Sequence, residues 1–125
     1  MMAPAFHVAQ ETAVWPPPPP LRELLLDADP DERQVADHLA HGELYVARSR
    51  GAAAGAIVIR QTGEDTWEIM NCSVAPEYRR HGCGTALVLH ALHIIRNKGA
   101  RYAELGTCDA SPGPMACLLY TSDAA

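Results

Sequence analysis

Apolar side chains recur at two different spacings along this chain, and the change of spacing marks its elements. Three short apolar-rich runs, "ELYVAR" (43–48), "AAGAIVIR" (53–60) and "TWEIMNCSV" (66–74), read as strands. Ser49-Arg50-Gly51 between the first two is a hairpin-like turn, and Thr62 to Asp65 makes the next. From about Thr85 to Lys98 the period changes to that of a helix. Leu87, Ala91 and Ile94 line one face, joined by Val88, Leu92 and Ile95, and Gly99 stops it. "RYAELGT" (101–107) returns to strand spacing. Upstream, "DPDERQVADHLAHG" carries its own punctuation: Asp29 as N-cap, Pro30 at the first helical position, Glu32 for a capping box. Val35, Ala36 and Leu39 give that helix its apolar face, and Gly42 is placed to close it in the left-handed conformation. Leu21 to Leu26 predicts a helical turn ahead of it, and Phe6 to Ala9 a short first strand. The order α-β-β-β-α-β predicts an α/β domain with a mixed sheet.

Composition narrows the class of function. The chain has 125 residues, one domain at most, and a 48% hydrophobic fraction sufficient for a core. A net charge of −5 argues against a general nucleic-acid surface, while leaving room for a local basic patch that binds a small anion. Cys72, Cys83, Cys108 and Cys117 form no C-x-x-C pair, which argues against zinc or a disulfide framework and suits a reducing compartment. The N-terminus lacks the charged and apolar regions of a signal peptide, and no apolar run reaches the ~20 residues of a membrane span. A soluble cytoplasmic protein without metal, nucleic-acid or membrane partner is the expectation. Within segment 1–20, Trp15 followed by five prolines predicts a stiff polyproline II spacer.

The stretch "APEYRRHGCGTAL" (75–87) falls between the third strand and the long helix. A helix's first N–H groups have no internal partner and its dipole makes that end positive. Gly82 and Gly84 remove side chains that would shield those amides, and Arg79 and Arg80 add charge beside them. This is the make-up of a phosphate or pyrophosphate cradle. It is not a P-loop, since Gly-Lys-Ser/Thr is absent, and it lacks the third glycine of a dinucleotide fingerprint.

Arg79-x-x-Gly82-x-Gly84, following "NCSVAPEY" and opening a helix, resembles motif A of the GCN5-related N-acetyltransferases (GNAT), with the pattern Gln/Arg-x-x-Gly-x-Gly/Ala. The wider likeness runs from Leu24 to Ala116 and resembles small bacterial members. It implies a mixed, mostly antiparallel sheet flanked by helices, with acetyl-CoA held between the strands at 66–74 and 101–107. It further implies that backbone amides of residues 80 to 85 (Arg80, His81, Gly82, Cys83, Gly84, Thr85) hold the pyrophosphate, with Arg79 beside them. The strand end at Cys72, Ser73 and Val74 would bond the pantetheine arm and the thioester carbonyl, where an amide stabilises developing negative charge. Cys83 stands where a helix N-terminus favours thiolate, yet at a variable position of the motif, and is not read as a nucleophile.

Transfer to an amine needs a base for the ammonium proton. Glu68, on the cofactor strand and six residues before Val74, matches a position where several members of the family carry a catalytic glutamate. His90 and His93, three apart on the helix, lack a third metal ligand and read as surface or packing histidines. The family's proton-donating tyrosine aligns with Leu118; Tyr120 is two residues off, a turn of about 200° on a helix. Residues 117–125, "CLLYTSDAA", resemble the translation of a transposase adapter used to prepare sequencing libraries. Three segments are therefore expected: a Pro-rich arm (1–20), an incomplete acetyltransferase domain (21–116) and a non-native tail (117–125). The family's C-terminal hairpin would then be missing, leaving strand 101–107 uncovered and the chain destabilised, with weak or no activity. A catalytically inactive acyl-CoA-binding module is the alternative function, and an inert fold recruited through the Pro-rich arm a third. The acceptor is open among polyamine, aminoglycoside, amino acid and protein N-terminus, the acidic charge favouring a cation.

Overall fold

A computed structural model of the chain describes residues 5–105 in full and residues 117–121 as backbone. One six-stranded sheet runs in the order β1 (His7–Glu11), β2 (Glu43–Ser49), β3 (Ala52–Gln61), β4 (Thr66–Val74), β5 (Tyr102–Leu105), β6 (Cys117–Thr121). Every neighbouring pair is antiparallel except β4 and β5, whose parallel alignment is made by the crossover helix α3 (Cys83–Asn97). α3 covers one face. Helices α1 (Pro19–Ala28) and α2 (Glu32–His41) cover the other.

With both faces covered, the central strands are apolar on both. Tyr45, Ala47, Ile57 and Ile59 pack with Leu87, Ala91 and Ile95 of α3, while Leu44, Val46, Ala56 and Val58 pack with Leu21, Leu24, Leu25 and Val35. Burial of each such large side chain contributes about 1.5–3 kcal/mol. Gly55 allows α3 to sit close: a Cβ there would lie 2.9 Å from Cys83 Sγ, Leu87 Cδ1 and the Ser73 carbonyl. The β2–β3 turn is the expected hairpin, with Arg50 and Gly51 at φ 51° and 84°.

Several local expectations are corrected. α1 is a full helix that begins within the polyproline run, at Pro19, because proline's fixed φ and missing N–H suit a first helical turn. Asp31, not Asp29, caps α2, accepting from the Arg33 and Gln34 amides at 3.1 and 3.3 Å. Asp29 instead accepts from the Asp31 amide at 3.0 Å, so the two aspartates act in relay and Pro30 lies ahead of the cap. Gly42 is extended (φ −126°, ψ −167°), and its lack of a Cβ serves a close approach, since that atom would lie 2.5 Å from the Ile59 carbonyl oxygen.

The outer edge of β5 is paired, not bare. β6 runs antiparallel to it from Tyr102↔Thr121 to Leu105↔Cys117. Pairing along an edge needs only an extended backbone within reach, which "CLLYT" supplies whatever its origin. Gly106, Thr107, Cys108 and residues 122–125 lie outside the described residues, as does the Tyr120 side chain.

Candidate active site

The turn after β4 begins with a short 3₁₀ segment, Pro76–Tyr78, and α3 starts at Cys83, two residues before the expected Thr85. Gly82 is its N-cap at φ 83°, ψ 7°, and Arg80 also has positive φ, 65°. The first helical bond runs from the Ala86 amide to the Gly82 carbonyl at 2.9 Å. The amides of Cys83, Gly84 and Thr85 precede it and have no partner within the helix. They border a solvent-open cavity of about 290 Å³ lined by Val74, Tyr78, Arg79, Arg80 and the turn Gly82–Thr85. A Cβ on Gly84 would make only an ordinary 3.5 Å contact with Val74 Cγ2, so this glycine keeps open the space above the amides rather than relieving a clash. Arg80 is exposed at its rim, and His81, also exposed, is not part of its lining.

Arg79 is tied down. Its Nε donates to the Val74 carbonyl at 3.1 Å and its guanidinium to Asp27 Oδ2 at 3.3 Å. Ser73 donates its hydroxyl to the same oxygen at 3.4 Å. Asp27 thus joins α1 to the cradle, a role with no sequence signal, because it falls at the end of a leucine run among other aspartates. Asn71 was also not anticipated. It is buried on β4, its Nδ2 donates to the Leu25 carbonyl at 3.0 Å, and its Oδ1 has no partner among the described residues. Cys83 is 1% exposed, and burial pushes its thiol up. Cys72 is pushed up to about 11, first by burial and then by Cys83.

Beside the cradle, the described β4–β5 ladder runs from Thr66↔Tyr102 to Ile69↔Leu105, the last described residue of β5. β4 also carries a bulge: Val58 pairs with Asn71 and Ile59 with Ile69, leaving Met70 as the extra residue. The Ala75 amide donates to the Ala54 carbonyl of β3 at 2.8 Å. By antiparallel alternation, Ser73 directs its backbone to β3 as well, whereas Cys72 and Val74 direct theirs away from β3, to the β5 side of β4.

Glu68 lies one rung before Ile69, whose pairing with Leu105 is the last described of the β4–β5 ladder. Trp67 and Ile69 on either side join the core against α3, so strand alternation sends Glu68 to the face of α1 and α2. Its register partners are Arg60 on β3 and Glu104 on β5. Burial first, and then the charge of Glu104, raise its carboxyl above the usual glutamate value. The histidines lie apart from the cradle: His90 is tilted against Tyr45 with centroids 5.1 Å apart, and His93 Nε2 is 3.1 Å from Asn97 Nδ2. No group of three potential metal ligands occurs among the described residues.

Residues 7–122 match the profile of the Acetyltransferase (GNAT) family. The chain belongs to this family. Among curated proteins it is similar to the uncharacterized N-acetyltransferase YvbK of Bacillus subtilis, 37% identical over 91 residues, which are 73% of this chain and 59% of that protein. The chain thus spans less than two thirds of that relative's length. Among solved structures, a B. subtilis acetyltransferase in complex with CoA is 32% identical with a TM-score of 0.78, over 86% of this chain and 68% of that one. An acetyltransferase of the same family from Elizabethkingia anophelis, with acetyl-CoA bound, is 30% identical with a TM-score of 0.75, over 85% and 67%. The IAA acetyltransferase of Bacillus cereus is 33% identical with a TM-score of 0.75, over 86% and 69%. Family membership confirms the mixed, mostly antiparallel sheet expected from motif A. No helix among the described residues is long and apolar enough to cross a membrane.

Proposed function

We propose that this GNAT chain is an acetyl-CoA-dependent N-acetyltransferase acting on a primary amine by direct attack on the thioester. The observation that carries the reading is the row of open amides at Cys83, Gly84 and Thr85 bordering the cavity beyond Val74. Acetyl-CoA would supply the activated acetyl group there. The amides of residues 80–85, with Arg80 at the rim and the helix dipole behind them, hold the diphosphate. Arg79, fixed by Val74 and Asp27, sets the shape of the turn and adds charge at its edge. The Cys72 and Val74 amides, turned to the β5 side of β4, hold the pantetheine arm and oppose the negative charge that builds on the thioester carbonyl oxygen.

Glu68 is the base of this reading. An acceptor enters as an ammonium ion and loses a proton to Glu68. Its nitrogen then adds to the thioester carbonyl to form the C–N bond, the C–S bond breaks as the adduct collapses, and the remaining extra proton on nitrogen passes to the departing thiolate, directly or through water, giving the amide and CoA thiol. Partial burial and Glu104 bring the affinity of Glu68 for a proton closer to that task. The acidic balance of the chain favours a cationic acceptor.

Release of CoA thiol, measured with acetyl-CoA and a panel of polyamines, aminoglycosides, amino acids and peptides, tests this. Amine-dependent release with mass-spectrometric detection of the acetylated amine is expected. CoA binding without release with any amine would reduce the chain to a binding module, and absence of binding would refute the reading.

A further inference from the structure

The sheet places Glu68 between a cation and an anion. On β3 its register partner is Arg60, and on β5 it is Glu104, each on an adjacent strand ~4.8 Å away. A glutamate so placed would ordinarily pair with the arginine. Arg60 does not do this. Its guanidinium donates to Asp37 Oδ2 on α2 at 2.9 Å and approaches His38 Nδ1 at 3.3 Å. Asp37 in turn lies 3.1 Å from His41 Nδ1, so α2 holds the Arg60 guanidinium among its own polar groups. The other charged group near this rung, Lys98, lies on the α3 face over the Trp67 ring and pairs with Glu43. On the far side of Glu104 the register partner is Leu118, which carries no charge.

We infer that Glu104 is a positioning residue for Glu68. The parallel ladder sets Glu68 and Glu104 in register on adjacent strands, one rung from its last described pair, while Asp37 holds away Arg60, the cation that would otherwise neutralise Glu68. The inference rests on the reading of Glu68 as the base. It assigns a function to a residue that motif A does not include, and explains why an arginine and a glutamate in register leave each other unpaired. A base in contact with its own counter-ion takes up protons poorly. A base facing a second carboxylate takes them up readily, and the pair attracts an approaching ammonium ion. The direction in which the Glu68 carboxyl is displaced agrees with this geometry.

The test uses the whole chain without ligand. Glutamate labelled with ¹³C at the side-chain carboxyl is incorporated, the Glu68 resonance is assigned with Glu68→Gln, and its titration midpoint is followed by NMR. In Glu104→Gln the midpoint is expected to fall. Glu104→Asp, which keeps the charge, should hold most of the elevation. Asp37→Asn, an exposed change on α2 that frees Arg60 to reach Glu68, should also lower it. A midpoint unchanged or raised in Glu104→Gln overturns the inference, and one unchanged in Asp37→Asn removes the role given to Arg60. The acid limb of kcat/KM, measured with the most rapidly acetylated amine of the panel, should move to lower pH in Glu104→Gln. A limb that stays in place while the midpoint falls counts against Glu68 as the base and leaves the carboxylate coupling established, so the two readings fail separately.

Discussion

Asp27 at the end of α1 accepts from both Arg79 and Ser73, at 3.3 and 3.4 Å, and so binds the first helix to the strand end and the turn that build the cradle. The pair is solvent-exposed on both sides, so it contributes little to stability, about 1 kcal/mol or less. Its effect is on charge. Asp27 offsets an arginine that stands at an anion site, so Asp27→Asn is expected to tighten CoA binding severalfold at low salt. The gain should shrink in high salt as screening removes the arginine's contribution. Calorimetric titration with CoA at two ionic strengths checks this; equal affinities for variant and wild type at low salt would show that Arg79 does not act on the ligand.

Gly82 and Gly84 should respond differently to substitution. Gly82 sits at φ 83°, so Gly82→Ala strains the backbone and is expected to cost roughly 1–2 kcal/mol. Gly84 has ordinary helical space around its Cβ, so Gly84→Ala should fold normally, whereas Gly84→Trp fills the cavity over the amides. Circular dichroism with CoA titration separates these effects: Gly84→Trp should keep its helix signal and lose CoA affinity at least tenfold.

Glu68 should show opposed effects on stability and activity. Its carboxyl is raised in the folded chain, so the stability it contributes is present at low pH and is lost as pH rises from the ordinary glutamate value through the folded one. Glu68→Gln is therefore expected to melt higher than wild type at neutral pH and to converge with it in acid. Turnover should fall about 10²–10⁴-fold, the usual contribution of a general base. A variant that is both stable and fully active would remove Glu68 from the mechanism.

Glu11 supplies the opposite sign. It receives two bonds from Arg48, 2.7 and 2.8 Å, which hold edge strand β1 on β2 and keep its carboxyl below the usual value. Here the stabilisation is present above the unfolded glutamate value and is lost as pH falls through the lowered one. Glu11→Gln should cost roughly 1 kcal/mol at neutral pH, the upper end for a solvent-touched pair. The difference in melting temperature from wild type should vanish in acid.

What the sequence made legible follows from periodicity and from glycine. The β2–β3–β4 segment was readable because its turns carry Arg50-Gly51 and Gly63. So was α3 because Leu87, Ala91 and Ile94, joined by Val88, Leu92 and Ile95, repeat at helical spacing, although it is Ile95 rather than Ile94 that is buried with Leu87 and Ala91. The Gly82-x-Gly84 turn was readable because exposing amides requires missing side chains. The start of α1 was hidden, since five prolines describe an extended arm and a first helical turn equally well. Asp27 and Asn71 were hidden because their partners, Arg79 and the Leu25 carbonyl, are 52 and 46 positions away, and no local pattern records such a contact. The pairing of Glu68 with Glu104 was hidden for the same reason, being a matter of register between strands separated by a helix. β6 has no signal of its own in the sequence, because "CLLYT" lacks the polar–apolar alternation that marks a half-buried strand.

The central claim is that the amides opening α3 grip the diphosphate of coenzyme A, and backbone ¹⁵N–¹H shifts on adding CoA test it most directly. The largest changes are expected at Gly82, Cys83, Gly84 and Thr85, with smaller ones at Cys72 and Val74 and little at the Arg50-Gly51 turn. Saturation with CoA that leaves the amides of residues 82–85 unmoved would contradict the account.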